Sequence, residues 1–193
     1  MKIISDFTEY YDKDVLEAFK NSNYTLFREE KQNIEKINQI SILKKLGYKT
    51  IELKPLKSLF GLGDVVIYSN PKLHFGKGKS IEKYSSAVEM YGNCLACRCY
   101  DSRYTYKILK IGSKCYSLII ENIGLKENKL LSINELNGMI ALNNIICSID
   151  FVKDNKDNMI ACDLDYCVKL SHIQGIDRVL TSQIIIDNLR GLV

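Results

Sequence analysis

The sequence predicts an α+β fold, an antiparallel meander flanked by N-terminal, middle and C-terminal helices. Three observations predict it. Apolar residues recur at helical spacing near both ends of the chain. Short β-branched and aromatic runs fill the middle. The gaps between those runs carry turn chemistry, as in YGN, CYDSR and IGSK. With 193 residues, 46% of them apolar, the chain can bury one real core, so a single domain over 1–193 is expected. Within it a helical N-terminal segment (1–47), a sheet-rich segment (48–170) and a C-terminal helix (180–191) can be marked off.

The elements follow in order. Asp12 or Asp14 caps a short helix through about Lys20, with Val15, Leu16 and Phe19 on its apolar side. A longer helix runs from about Glu29 to Leu46. Ile34, Ile37, Ile40, Leu43 and Leu46 keep one face apolar, and Gly47 suits its stop. Tyr48 to Leu53 alternates like a strand, and KPLKSLFGLGD then breaks the pattern. Strands are expected at Val65–Tyr68, Ala87–Tyr91, Leu95–Tyr100, Tyr104–Ile111 and Cys115–Glu121. LLSINELNGMIAL returns to helix. Ser132 and Glu135 form a capping box, and Ile133, Leu136, Met139 and Ile140 share a face. Ile145–Val152 and Met159–Leu170 form a hairpin around KDNKDN, and LTSQIIIDNLRG closes the chain as a helix.

Composition narrows the function classes. The N-terminal apolar run is only Ile3 and Ile4, which is no signal peptide, and no stretch is long and apolar enough for a transmembrane helix. Seven cysteines, an odd number, point to free thiols in a reducing compartment. The net charge of +4 is unevenly spread. Lys44 to Lys83 holds nine lysines against three acids, while residues 1–30 hold seven acids against four basic residues. A local positive excess favours anionic partners, nucleotides or nucleic acid among them. The absence of arginine from that stretch weakens phosphate recognition by guanidinium forks.

The opening MKIISDFTEYYD, followed by YTLFRE, resembles a family of uncharacterised proteins of tailed phages and prophages. IGSKCYSLIIE and the closing IIIDNLRG fit the same family. The resemblance implies a phage origin and a place in the host-cell cytoplasm. It carries over no catalytic residue.

Four groups of residues are candidates for chemistry. The first is cysteine. Cys94 and Cys97 form a C-x2-C pair and Cys162 and Cys167 a C-x4-C pair, with His172 beyond. Converging, these would hold zinc. Leu95 and Ala96 between the first pair read as strand, so core packing of small thiols is the leading reading. The second is HFGKGKS with its neighbours. Lys72, His74, Phe75, Gly76, Lys77, Gly78, Lys79 and Tyr84 can present glycine amides, ammonium groups and stacking rings to an anion or nucleotide. The first Walker glycine is replaced by Leu73, so this is no P-loop. The third is Asp163 and Asp165. Two apart on a strand, they point to one face, as metal-dependent phosphoryl chemistry demands. IELK lacks the acidic strand residue a restriction-like nuclease needs before it. The fourth is the tyrosines, with Tyr100, Tyr104, Tyr106 and Tyr116 clustering across the expected strands.

No acid–base or nucleophile set stands out. The expectation is therefore a non-enzymatic phage accessory protein with a host-takeover or counter-defence role. It would bind a host protein or an anionic, nucleotide-type ligand, without a cofactor, and self-association into a homo-oligomer is left open. The alternatives are an enzyme or nucleic-acid-binding protein with a zinc or acidic metal centre, and a minor virion or assembly protein.

Overall fold

The computed structural model describes residues 3–4, 25–26, 35–70, 78–123, 128–138, 146–166, 168, 173–176, 178–180, 184–185 and 187–188. The chain divides into two compact units. The first holds Met1–Gln32, Ser102–Phe151 and Leu164–Val193, and the second Asn33–Asp101 and Val152–Asp163. The architecture is α+β with mostly antiparallel strands. The expected single meander is corrected to two main sheets, of four and six strands. The two-residue strands β1 (Ile3–Ile4) and β2 (Thr25–Leu26) pair in parallel as a separate sheet.

In the second unit, α1 spans Lys36–Lys45. Gly47 ends it, as expected, at φ +86°. The Tyr48 amide donates to the Leu43 carbonyl and the Gly47 amide to the Lys44 carbonyl, which satisfies carbonyls left open at a helix end. The buried face differs from the expected apolar stripe. Lys36, Gln39, Ile40 and Leu43 are buried, while Ile37 is half exposed. Two polar side chains turn inward because they satisfy one another, Lys36 Nζ donating to Gln39 Oε1 at 3.0 Å.

The four-stranded sheet has the order β3 (Lys54–Pro55), β6 (Leu95–Arg98), β4 (Asp64–Tyr68), β5 (Lys79–Lys83). β4 and β5 pair from Asp64↔Lys83 to Tyr68↔Lys79, so the glycine–lysine stretch connects a hairpin. The strand expected at Ala87–Tyr91 is instead α2, Tyr84–Tyr91. Tyr84, Ala87, Val88 and Tyr91 recur at helical spacing and pack on Leu56, Leu59, Val65 and Ile67. The strand expected at Tyr48–Leu53 is reduced to one parallel bridge, Thr50 to Ala161.

The six-stranded sheet has the order β11 (Met159–Asp165), β10 (Ile146–Lys153), β7 (Asp101–Ile111), β8 (Lys114–Asn122), β9 (Asn128–Leu136), β12 (Ile173–Gln174). In the first unit Leu109, Ile111, Leu118, Ile120, Ile146 and Ile173 make the core. The middle helix is corrected to strand β9. Ser132 and Glu135 satisfy a capping-box pattern, but cross-strand partners decide the outcome. Leu118 faces Ile133, Cys115 faces Leu136, and Glu135 forms an ion pair with Lys114. Met139 and Ile140 lie outside the described residues, as does the expected helix from Asp12 to Lys20. Of the C-terminal helix, residues 184–185 and 187–188 are described, and they are helical. Among the described residues no helix is long and apolar enough to cross a membrane.

Candidate functional site

In the second unit a charged cluster forms where α1 turns its polar residues inward. Lys36 is 8% exposed. Its Nζ lies 2.5 Å from Asp163 Oδ1 on β11 and 5.9 Å from the centre of the Tyr68 ring. Tyr68 is the last residue of β4, and its hydroxyl and the Cys97 thiol of β6 are neighbours. Burial raises the Tyr68 hydroxyl well above its ordinary range, and the neighbouring Cys97 and Asp163 add to that. Burial likewise pushes the Cys97 thiol up to about 11, against the pull of Lys79. The Asp163 side chain is 39% exposed, so the pair meets solvent on its carboxylate side.

The first unit carries a second pair. Lys107 of β7 is 5% exposed, with Nζ 2.5 Å from Asp150 Oδ1 and 3.1 Å from Ser148 Oγ, both on β10. Lys110, also buried, stands near Cys147. Burial pushes that thiol up to about 11, while the lysine draws it down. Sequence reasoning missed Lys36, Gln39, Lys107, Ser148 and Asp150. A signal was present in part: two lysines stand in the apolar run of β7, and a serine and an aspartate in that of β10.

The sequence-derived candidates are distributed as follows. Lys72, His74, Phe75, Gly76 and Lys77 lie outside the described residues. Gly78 closes the β4–β5 connection, its carbonyl accepting from the Ser69 amide at 2.9 Å. Lys79 is exposed at the start of β5. Tyr84 begins α2, with its hydroxyl 3.4 Å from the Lys57 carbonyl and its ring edge-on to Phe60 at 6.1 Å. Cys94 is half-buried against the second unit's core, Cys97 is buried, and Cys162 is half-buried. Cys167 and His172 lie outside the described residues. Among the described residues no three of His, Cys, Asp and Glu come together to hold a metal ion. Asp163 and Asp165 do lie two apart on one strand, β11. Among the tyrosines, Tyr116 is buried and its hydroxyl accepts from Asn188 Nδ2 at 2.6 Å.

No protein-family model and no curated protein matches the sequence. Solved structures match the fold. One is the ATP-grasp ligase PsnB, complexed with a phosphomimetic variant of a minimal precursor, Mg and ADP. The TM-score is 0.60 at 10% identity, over 92% of this chain and 65% of that one. Another is a Chryseobacterium gregarium RiPP-associated ATP-grasp ligase with ADP and a leader and core peptide. It matches at TM-score 0.57 and 11% identity, over 81% of this chain and 58% of that one. A third, the D-alanine-D-alanine ligase from Coxiella burnetii, matches at TM-score 0.52 and 11% identity, over 82% of this chain and 56% of that one. The chain thus spans less than two thirds of the length of each. At such identity the likeness is one of fold. The expectation of a non-enzymatic phage accessory protein for host takeover or counter-defence is corrected on this finding: the solved structures that share the fold are ATP-grasp ligases.

Proposed function

We propose that the chain is the nucleotide-binding portion of a magnesium-dependent, ATP-consuming ligase. The observation that carries this reading is the likeness of fold, over 92% of the chain, to an ATP-grasp ligase holding Mg and ADP. Phosphoryl transfer needs little covalent help from a protein but much positive charge near the phosphate oxygens. Lys36 is the candidate for that charge in the second unit, buried and held by Gln39 and Asp163. Lys79, exposed beside the β4–β5 connection, is a second cation for the same anion.

Magnesium is held by one or two carboxylates together with substrate phosphates, not by a complete protein cage. Asp163 fits that donor set, since it offers hard oxygen ligands and its side chain meets solvent. The ion would neutralise phosphate charge. Lys36 holds the Asp163 carboxylate in place, and Gln39 fixes the Lys36 ammonium.

Calorimetric titration of the purified chain with ATP tests the reading, with and without Mg²⁺. Saturable binding that requires Mg²⁺ is expected, and Lys36→Met should weaken it about tenfold or more. No heat of binding and no thermal stabilisation at millimolar Mg·ATP would overturn the proposal.

A further inference from the structure

A groove of about 510 Å³ runs along β9 in the first unit, lined by residues 129–133 on one side and 174, 175, 178 and 179 on the other. It begins where β12 stops. β12 pairs in parallel with β9 only at Asn128 and Lys129. Beyond Lys129, among the described residues, no strand pairs with that edge of β9. Ile119 faces Ser132 while Ile120 faces Leu130, so Leu131 is an extra, bulged residue in β9. Leu131 is 47% exposed and Val179 43% exposed, which places apolar surface on both walls. Lys129 and Arg178, both exposed, add two cations, with Glu121 of β8 across from Lys129.

We infer that this groove takes a short extended segment of a partner polypeptide carrying acidic side chains, added as a strand beside β9. Edge amides and carbonyls recruit an extended chain through main-chain hydrogen bonds, while side-chain pockets give specificity. β12 already does this over two residues. A flat, apolar edge would recruit any strand. The bulge at Leu131 interrupts the ladder and limits the addition to a short segment. Lys129 and Arg178 favour acidic side chains at encounter. Two cations beside apolar Leu131 and Val179 suit a peptide that carries both apolar and acidic residues better than a phosphate backbone, which needs a run of cations. The inference uses none of the residues assigned to nucleotide and does not depend on that reading.

The test uses the full chain and a short fluorescent peptide alternating glutamate and valine, followed by anisotropy. Saturable binding is expected. It should weaken about tenfold in the Lys129→Glu, Arg178→Glu double variant, whose changes are both exposed. The same peptide N-methylated on alternate residues should bind about tenfold less well to the unaltered protein, since it cannot complete the ladder. The lysine–valine counterpart should not bind. Equal binding of the N-methylated peptide, or full binding by the double variant, would overturn the proposal. So would no binding of the acidic peptide. Competition by a single-stranded oligonucleotide would replace it with a nucleic-acid surface. A dimer in native mass spectrometry that the double variant dissolves would replace it with a second copy of the chain.

Discussion

Lys36 and Lys107 are chemically alike and differ in what faces them, so the same substitution should read differently at each. Asp150 has a 22% exposed side chain, and Asp163 a 39% exposed one. Removing the lysine from a buried pair leaves a charge in low dielectric, which costs about 3–5 kcal/mol. Lys107→Met should approach that range in urea denaturation, and the added change Asp150→Asn should restore most of it. Lys36→Met should cost less, because solvent already screens Asp163, and its larger effect should fall on nucleotide affinity. A Lys36→Met loss of stability as large as that of Lys107→Met would mark both pairs as structural only. The thiols give a second prediction at this scale. Burial holds Cys97 and Cys147 up to about 11, against about 9 when exposed. The unfolded chain therefore releases those protons first as pH rises. Stability is fully present below about pH 9 and is lost between about 9 and 11, on the order of a few kcal/mol in all. Thermal unfolding across that window should show the loss, and Cys97→Ala with Cys147→Ala should flatten its slope. These residues were hard to see in advance. Pattern reading turns lysine outward, and only the fold supplies the carboxylates that let Lys36 and Lys107 point inward.

Elements were legible where local and tertiary signals agree. β4, β7, β8 and β10 begin and end within a few residues of the runs that predict them, while β11 stops at Asp165, short of the expected Leu170. Gly47 marks the end of α1 because its φ of +86° excludes most side chains. Where signals conflict, partners at long range decide. The S-x-x-E of β9 is a sound capping box with no helix to cap, since Leu118 and Cys115 of β8 hold Ile133 and Leu136 across the ladder. In α2 the valine and tyrosine of Ala87–Tyr91 suggest a strand, yet the 84, 87, 88, 91 spacing is the one the core of the second unit accepts. Two glycines separate strain from crowding. Gly47 has open space where a Cβ would stand, whereas at Gly78, φ +70°, a Cβ would meet Asn70 backbone and Cβ atoms at 3.1–3.2 Å. Gly47→Ala should cost about 1 kcal/mol from conformation alone. Gly78→Ala should cost more, roughly 2–3 kcal/mol, because strain and a backbone clash add at the β4–β5 connection. Equal losses in chemical denaturation would mean that Asn70 yields freely.

At the scale of the whole molecule, identity to the ligases is 10–11% while the fold is shared, so no residue pattern in the sequence announced the likeness. Charge is the sequence feature that accords with the proposed nucleotide. The lysine-rich stretch from Lys44 to Lys83, with a net +6, lies wholly within the second unit, which also holds Lys36. Such a field raises the encounter rate of an anionic ligand and weakens with salt. Nucleotide binding and turnover can then be separated. Less than two thirds of the length of each ligase is represented in this chain, so binding is the property to measure first. A ligand that binds only the folded state stabilises it by about 2.7 kcal/mol at one hundred times its dissociation constant. For a chain of this length each kcal/mol moves the unfolding midpoint by roughly 2–4 °C. Saturating Mg·ATP should therefore raise Tm by roughly 5–10 °C. The rise should shrink without Mg²⁺, shrink further in Lys36→Met, and fall with added salt as affinity falls, and stopped flow should show slower association in salt. A rise of the same size with Mg²⁺ alone would assign the effect to the ion and Asp163. A rise unchanged in Lys36→Met would move the nucleotide away from α1 altogether.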